Sequence, residues 1–305
     1  MTTFMVPFRN ILSLIWLFLA TSCSATNNEW KIDLVGSTPG DASVKSMLSI
    51  SADTEIDFIK WDLKLDGKNA FVLNITYGAS QPNTLGFKGG GEKKTIKGSY
   101  LVTKNRDNPF KEVYRLRPDD LSEKISLVKI SENTFHILTS ENKLMIGNGG
   151  WSYSLNRKIP FDSGKILISS PVPDDTSLQL VFDGRTPCRE FVTEHPEMNA
   201  SPSCFKLKWR LILNRDPLTH LPTTCIIRNI VDNQPRNISG KWKIIKGTAT
   251  NPNAIIYSVV VDNLAEPVLL LVGDENVLYF LDKNSELLTG NENFGFVLNK
   301  KKQMK

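Results

Sequence analysis

Along most of this chain apolar and polar residues alternate. Trp30, Ile32 and Leu34 are separated by Lys31 and Asp33, and Ile59, Trp61, Leu63 and Leu65 by Lys60, Asp62 and Lys64. Trp151, Tyr153 and Leu155 alternate with Ser152, Ser154 and Asn156, and Phe294, Phe296 and Leu298 mark a similar run near the end. A period of two puts successive side chains on opposite faces, so these segments are β-strands with one buried face. Turn residues such as Asp66-Gly67 and Gly147-Asn148-Gly149-Gly150 punctuate them. No stretch carries a long helical period.

The pattern is written twice. Asn108-Pro109, Tyr114, Glu132-Asn133, Leu138, Leu144, Gly147-Asn148 and Leu155-Asn156 recur 143 residues later. Their counterparts are Asn251-Pro252, Tyr257, Glu275-Asn276, Leu281, Leu287, Gly290-Asn291 and Leu298-Asn299. Upstream the offset is 148: Gly36-Ser37-Thr38-Pro39 matches Gly184-Arg185-Thr186-Pro187, and Lys60-Trp61 matches Lys208-Trp209. A fixed register of this length is a tandem duplication. The copies span residues 29–158 and 176–301. Residues 159–175, with Pro160, Pro171 and Pro173, read as a linker that a protease should cut first to release two folded halves.

Each copy holds seven or eight strands. Short antiparallel strands with one buried face must close or be covered, because open edges invite aggregation. Eight strands close into a barrel that side chains fill or that holds one small ligand. The expected fold is therefore all-β, two tandem antiparallel lipocalin-like β-barrels, with paired β-sandwiches as the alternative that alternation alone does not separate.

The first residues change the picture. Arg9 precedes a compact apolar run from Ile11 to Ala20, followed by Thr21, Ser22 and Cys23. A short apolar region behind a positive charge and ahead of small residues is a secretion signal, too short for a stable transmembrane helix. Ala20-Thr21-Ser22-Cys23 resembles a bacterial lipobox. That resemblance implies cleavage after residue 22, diacylglycerol on the Cys23 thiol, an acylated amine, and a tether over residues 23–28 holding the chain on a membrane. Ser24 after the cysteine favours the outer membrane.

A net charge of +5 is modest and spread along the chain. No basic stripe interleaved with aromatics appears, so nucleic acid is not an expected partner. Three further cysteines follow Cys23. At the offset of 148, Cys188 falls on Gly40 and Cys204 on Ile56, so the first copy lacks both. Two cysteines present or absent together, in a secreted chain, predict a disulfide between Cys188 and Cys204. Cys225, in an apolar strand, reads as a small buried hydrophobe.

Gly184-Arg185-Thr186-Pro187-Cys188, Cys204 and Leu207-Lys208-Trp209-Arg210-Leu211 resemble the start of the NlpE-type lipoprotein domain. Gly240-Lys241-Trp242, Tyr257 and Leu278-Tyr279-Phe280-Leu281-Asp282 resemble its end. The resemblance implies lipocalin-like barrels on outer-membrane lipoproteins, associated with copper resistance, surface sensing and envelope stress. That family's N-terminal domain carries Pro-Cys-x-x-Cys. Here the partner of Cys188 lies sixteen residues away, so copper handling does not carry over.

No catalytic constellation stands out: there is no nucleophile elbow, no His-Glu-x-x-His and no phosphate loop. No cofactor or metal site is expected. His136 aligns with Tyr279 and reads as structural. His195, with Met198 and a thiolate, could offer soft ligands, but it reads better as part of a loop clipped by the disulfide. His220 sits in a proline-rich turn. One length difference points to binding. Between Gln81-Pro82 and Ile96 the first copy has 13 residues where the second has two. Leu85, Phe87 and Lys88 in this insert are the candidate binding loop, either a lid at the barrel mouth or a partner-binding finger, against an unstructured turn. The chain thus reads as a non-enzymatic binding or sensing lipoprotein of the bacterial envelope. Its expected partners are an envelope protein or a small apolar ligand. The alternatives are a lipocalin-like carrier and an unrecognised hydrolase. A large apolar cavity would favour the carrier, and filled barrels the partner-binding reading.

Overall fold

A computed structural model describes residues 1–3, 30–104, 109–169, 175–198, 200–231, 234–262 and 264–301. Cys23, with the segment read as the secretion signal, lies outside them. The first copy runs β1 (Trp30–Pro39), α1 (Ala42–Met47), β2 (Phe58–Asp66), β3 (Ala70–Gly78), β4 (Glu92–Lys104), β5 (Glu112–Pro118), β6 (Ile125–Lys129), β7 (Thr134–Leu138) and β8 (Ser154–Arg157). The second repeats it with β9 (Gln179–Pro187), α2 (Cys188–Glu194), β10 (Lys206–Arg215), β11 (Pro222–Val231), β12 (Gln234–Lys246), β13 (Ile255–Val261), β14 (Val268–Val272), β15 (Val277–Leu281) and β16 (Val297–Lys300). Every neighbouring pair is antiparallel, and each set of eight closes into a barrel, β8 pairing with β1 and β16 with β9. Barrels, not sandwiches, are the architecture.

The repeated motifs explain the closure. A Cβ on Gly36 would sit 2.7 Å from the Ser154 carbonyl oxygen, and one on Gly184 2.6 Å from that of Val297. Only glycine lets the last strand cross the first so closely. The repeated Thr and Trp are partners: the Trp61 indole N–H donates to Thr38 Oγ1 and that of Trp209 to Thr186 Oγ1, each at 2.9 Å. A buried indole needs an acceptor, and a fully buried threonine supplies it in both copies.

Each lumen is filled by its own side chains. In the first barrel Leu34, Trp61, Phe71, Tyr114, Phe135 and Tyr153 meet Val44 and Met47 of α1, which plugs one end. In the second, Phe182, Trp209, Trp242, Phe280 and Phe296 meet Phe191 of α2. The disulfide joins Cys188 and Cys204, Cα atoms 5.8 Å apart, and staples α2 to the loop before β10. In the first copy the equivalent Gly40 and Ile56 are packed so closely that a Cβ on Gly40 would fall 2.2 Å from Ile56 Cγ2. A covalent link in one copy thus stands where the other has a van der Waals contact.

The expectation that contacts close within each copy does not hold. A third apolar cluster lies between the barrels, made by the outward faces of β5–β7 and β13–β16. It contains Val113, Val128, Leu138 and Leu144 from one side and Ile256, Leu271, Tyr279, Leu281, Leu287 and Val297 from the other. Ile166 and Ile168 of the connecting segment are buried in it. That segment is also hydrogen-bonded to both copies, with Leu167 N–H donating to the Ile130 carbonyl and Leu287 N–H to that of Gly164. Residues 164–168 cover apolar surface and are held in place by it.

Candidate binding crevice between the barrels

The inter-barrel contact is built from equivalent residues facing each other, as in a two-fold dimer. Tyr279 O–H donates to His136 Nδ1 at 2.8 Å, and these are the same position in the two copies. His136 Nε2 lies 2.9 Å from the Met145 carbonyl oxygen, so the neutral tautomer with its proton on Nε2 satisfies both partners. Complete burial lowers the His136 pKa from 6.5 to about 4. Gly147 N–H donates to Asn299 Oδ1 (2.7 Å), and reciprocally Gly290 N–H donates to Asn156 Oδ1 (3.1 Å). The Gly-Asn and Leu-Asn pairs that the duplication preserves are therefore each other's partners across this pseudo-dyad.

At one end of the contact the two copies leave a small, part-open crevice of about 30 Å³. Six of its ten lining residues form dyad-related pairs that have diverged: Ser37 with Arg185, Phe58 with Lys206, and Trp151 with Phe294. The first copy supplies an aromatic wall. Phe87 stacks on Phe58 (centroids 4.1 Å apart, planes 11° apart) and Phe58 on Trp151 (4.8 Å, 5°). The second copy supplies cations. The Arg185 guanidinium lies 5.3 Å from the Trp151 ring centroid, a cation–π contact, and Lys206 borders the same space.

The insert of the first copy completes this wall, and it is ordered. Ser80 bridges to Phe87, Lys88 N–H donates to the Ala79 carbonyl, and Gly89, Gly90 and Gly91 all take positive φ. Asp57 Oδ2 accepts from the Ser80 N–H and hydroxyl, which hold the Asp57 carboxyl below its usual pKa with help from Lys88. Of the three candidate residues, Leu85 borders the crevice half-buried, Phe87 is buried in the stack, and Lys88 is exposed. Sequence reasoning missed Trp151 and Arg185 as crevice residues. Arg185 was legible only as a repeat position where serine is replaced by a cation.

The other candidates do not converge. His195 is buried against Phe191 (4.5 Å), and its Nδ1 is 3.6 Å from Glu197 Oε1, too long for a hydrogen bond. Burial lowers its pKa, with Glu197 opposing. Met198 packs in the second core, and the disulfide leaves neither Cys188 nor Cys204 as a thiolate. Cys225 is buried, and burial pushes its thiol up to about 11. His220 lies exposed in its turn at positive φ. A larger hollow of about 290 Å³ lies near Gly147, Asp183 and Lys300, but Arg210 holds Asp183 and Asp175 holds Lys300. Among the described residues no group of three or more His, Cys, Asp or Glu could hold a metal ion, nor is any helix long and apolar enough to cross a membrane.

No family model and no curated protein matches the chain. Among solved structures it is similar to the crystal structure of the Cpx pathway activator NlpE from Escherichia coli, at 10% identity over 70% of this chain and 88% of that one, with a TM-score of 0.21. At that score the two chains do not superpose as wholes, and the likeness bears on neither fold nor function.

Proposed function

We propose that this chain is a non-enzymatic binding or sensing lipoprotein of the bacterial envelope, of the NlpE type that its motifs resemble, held by lipid on Cys23 in the outer membrane. It engages an envelope partner with its outer surface at the crevice where the insert, Trp151 and the second barrel meet. The observation that supports this reading is the packing of both lumens by the protein's own side chains, which favours recognition on the outer surface over binding within the barrels. A photo-crosslinking amino acid at Leu85 in native envelopes should give a discrete adduct, and the same probe at exposed Leu101 of β4, which does not line the crevice, should not. Native mass spectrometry showing a stoichiometric apolar molecule carried by the purified protein, with no Leu85 adduct, would overturn it in favour of a carrier.

A further inference from the structure

Duplicated barrels that pair about a dyad begin with equivalent residues on both sides of it, so charge at the dyad comes in matched sets. Here it does not. On one side burial lowers the pKa of Lys60 of β2, and the charge of Glu292 opposes that shift. The equivalent of Lys60 is Lys208, and the equivalent of Glu292 is Gly149. The second side has thus kept its cation and has glycine where the first has a carboxylate. It has also gained two cations, Arg185 where the first copy has Ser37, and Lys206 where it has Phe58.

These cations are not offset internally. Arg185 and Lys206 are both half-buried; each guanidinium or ammonium lies over a ring, Trp151 for Arg185 (5.3 Å) and Phe205 for Lys206 (4.8 Å), and among the described residues neither side chain is paired with a carboxylate. Lys208 faces Arg185 across the β9–β10 ladder. Lys206 is disfavoured as a cation by burial and then by Arg185 and Lys208, and no carboxylate bears on it. Among neighbouring acids, Asp57 is taken by Ser80 and faces Lys88, and Glu292 faces Lys60. In the same crevice the buried Asn293 Oδ1 has no hydrogen-bond partner, so the polar lining as a whole is incomplete.

We propose that Arg185 and Lys206 form a binding site for a phosphate-type oxyanion at the dyad crevice. It deepens the functional reading above and rests on recognition at the outer surface. Two cations without a carboxylate partner bordering one space repel each other when it is empty, and an oxyanion removes that repulsion while accepting from both donor sets. The guanidinium is pre-oriented by its contact with Trp151, which lowers the cost of ordering it on binding. The space is small and open on one side, so the ligand inserts an anionic group and leaves its body outside.

The test measures the thermal midpoint of the full chain in inorganic phosphate against sodium chloride at matched ionic strength. In parallel it measures binding to phosphatidylcholine vesicles with and without phosphatidylglycerol. Phosphate should raise the wild-type midpoint saturably, and Arg185→Gln and Lys206→Gln should each weaken the apparent affinity at least tenfold. Lys206→Arg should keep the response, and Lys68→Gln, on an exposed turn of the first barrel, should leave it untouched. Without phosphate Lys206→Gln should melt at or above the wild type, because repulsion is relieved; a purely structural lysine would lower the midpoint. A response confined to anionic vesicles and lost in the same variants identifies the oxyanion as a lipid headgroup rather than free phosphate. Equal responses in wild type and both glutamine variants, or none to either probe, overturn the proposal. If the Leu85 crosslink survives in those variants, the outer-surface reading stands without the oxyanion site.

Discussion

Acid should weaken the joint between the barrels before it affects most carboxylates. The buried His136 imidazole is neutral in the folded chain, with a pKa near 4, whereas in the unfolded chain it returns to about 6.5. The unfolded state therefore takes up the proton first. Stability is intact above about 6.5, falls as pH drops toward 4, and levels off once the folded imidazole also protonates. A difference of about 2.5 units corresponds to about 3 kcal/mol in full, of which about 2 kcal/mol is lost by about pH 5. His195, lowered by burial, adds in the same direction, and Asp274, whose carboxyl burial raises, runs against it. Asp175, held at about 2, acts only at lower pH. Urea unfolding at pH 7 and pH 5, followed by tryptophan fluorescence, measures the loss. His136→Gln removes the titration and should flatten most of the difference, even though the variant starts less stable. An acid loss in His136→Gln equal to that of the wild type would refute the assignment.

Three further outcomes follow from the packing. Replacing both Cys188 and Cys204 with alanine should lower stability by about 3 kcal/mol on a chain-entropy estimate, readable as a shifted urea midpoint. Leu271→Ala, fully buried between the barrels, should cost about 2–5 kcal/mol and lower the unfolding midpoint of the whole chain rather than of one half. Tyr279→Phe leaves His136 Nδ1 buried without its donor and should cost about 1–3 kcal/mol in the same assay.

The barrels were legible because their inward positions alternate strictly with outward polar ones, as in Ile59 to Leu65. The disulfide was legible because the duplication supplied an internal control at Gly40 and Ile56. The joint between the copies was not read, although a signal for it existed. Val268-Leu269-Leu270-Leu271-Val272 and Val277-Leu278-Tyr279-Phe280-Leu281 do not alternate, and an apolar run without alternation marks a strand buried on both faces. Proline content marked residues 159–175 as a loose linker, whereas Ile166 and Ile168 were its informative residues. The crevice was beyond periodicity altogether, because the stack of Phe87, Phe58 and Trp151 joins three loops and strand ends far apart in sequence.

The two copies form one pseudo-symmetric unit whose shared face creates the crevice. Differential scanning calorimetry of the full chain tests it most directly. A shared apolar core predicts a single unfolding transition with calorimetric and van't Hoff enthalpies in agreement, still single and shifted down as a whole in Leu271→Ala. Two resolved transitions, with Leu271→Ala moving only the one belonging to the second barrel, would contradict it.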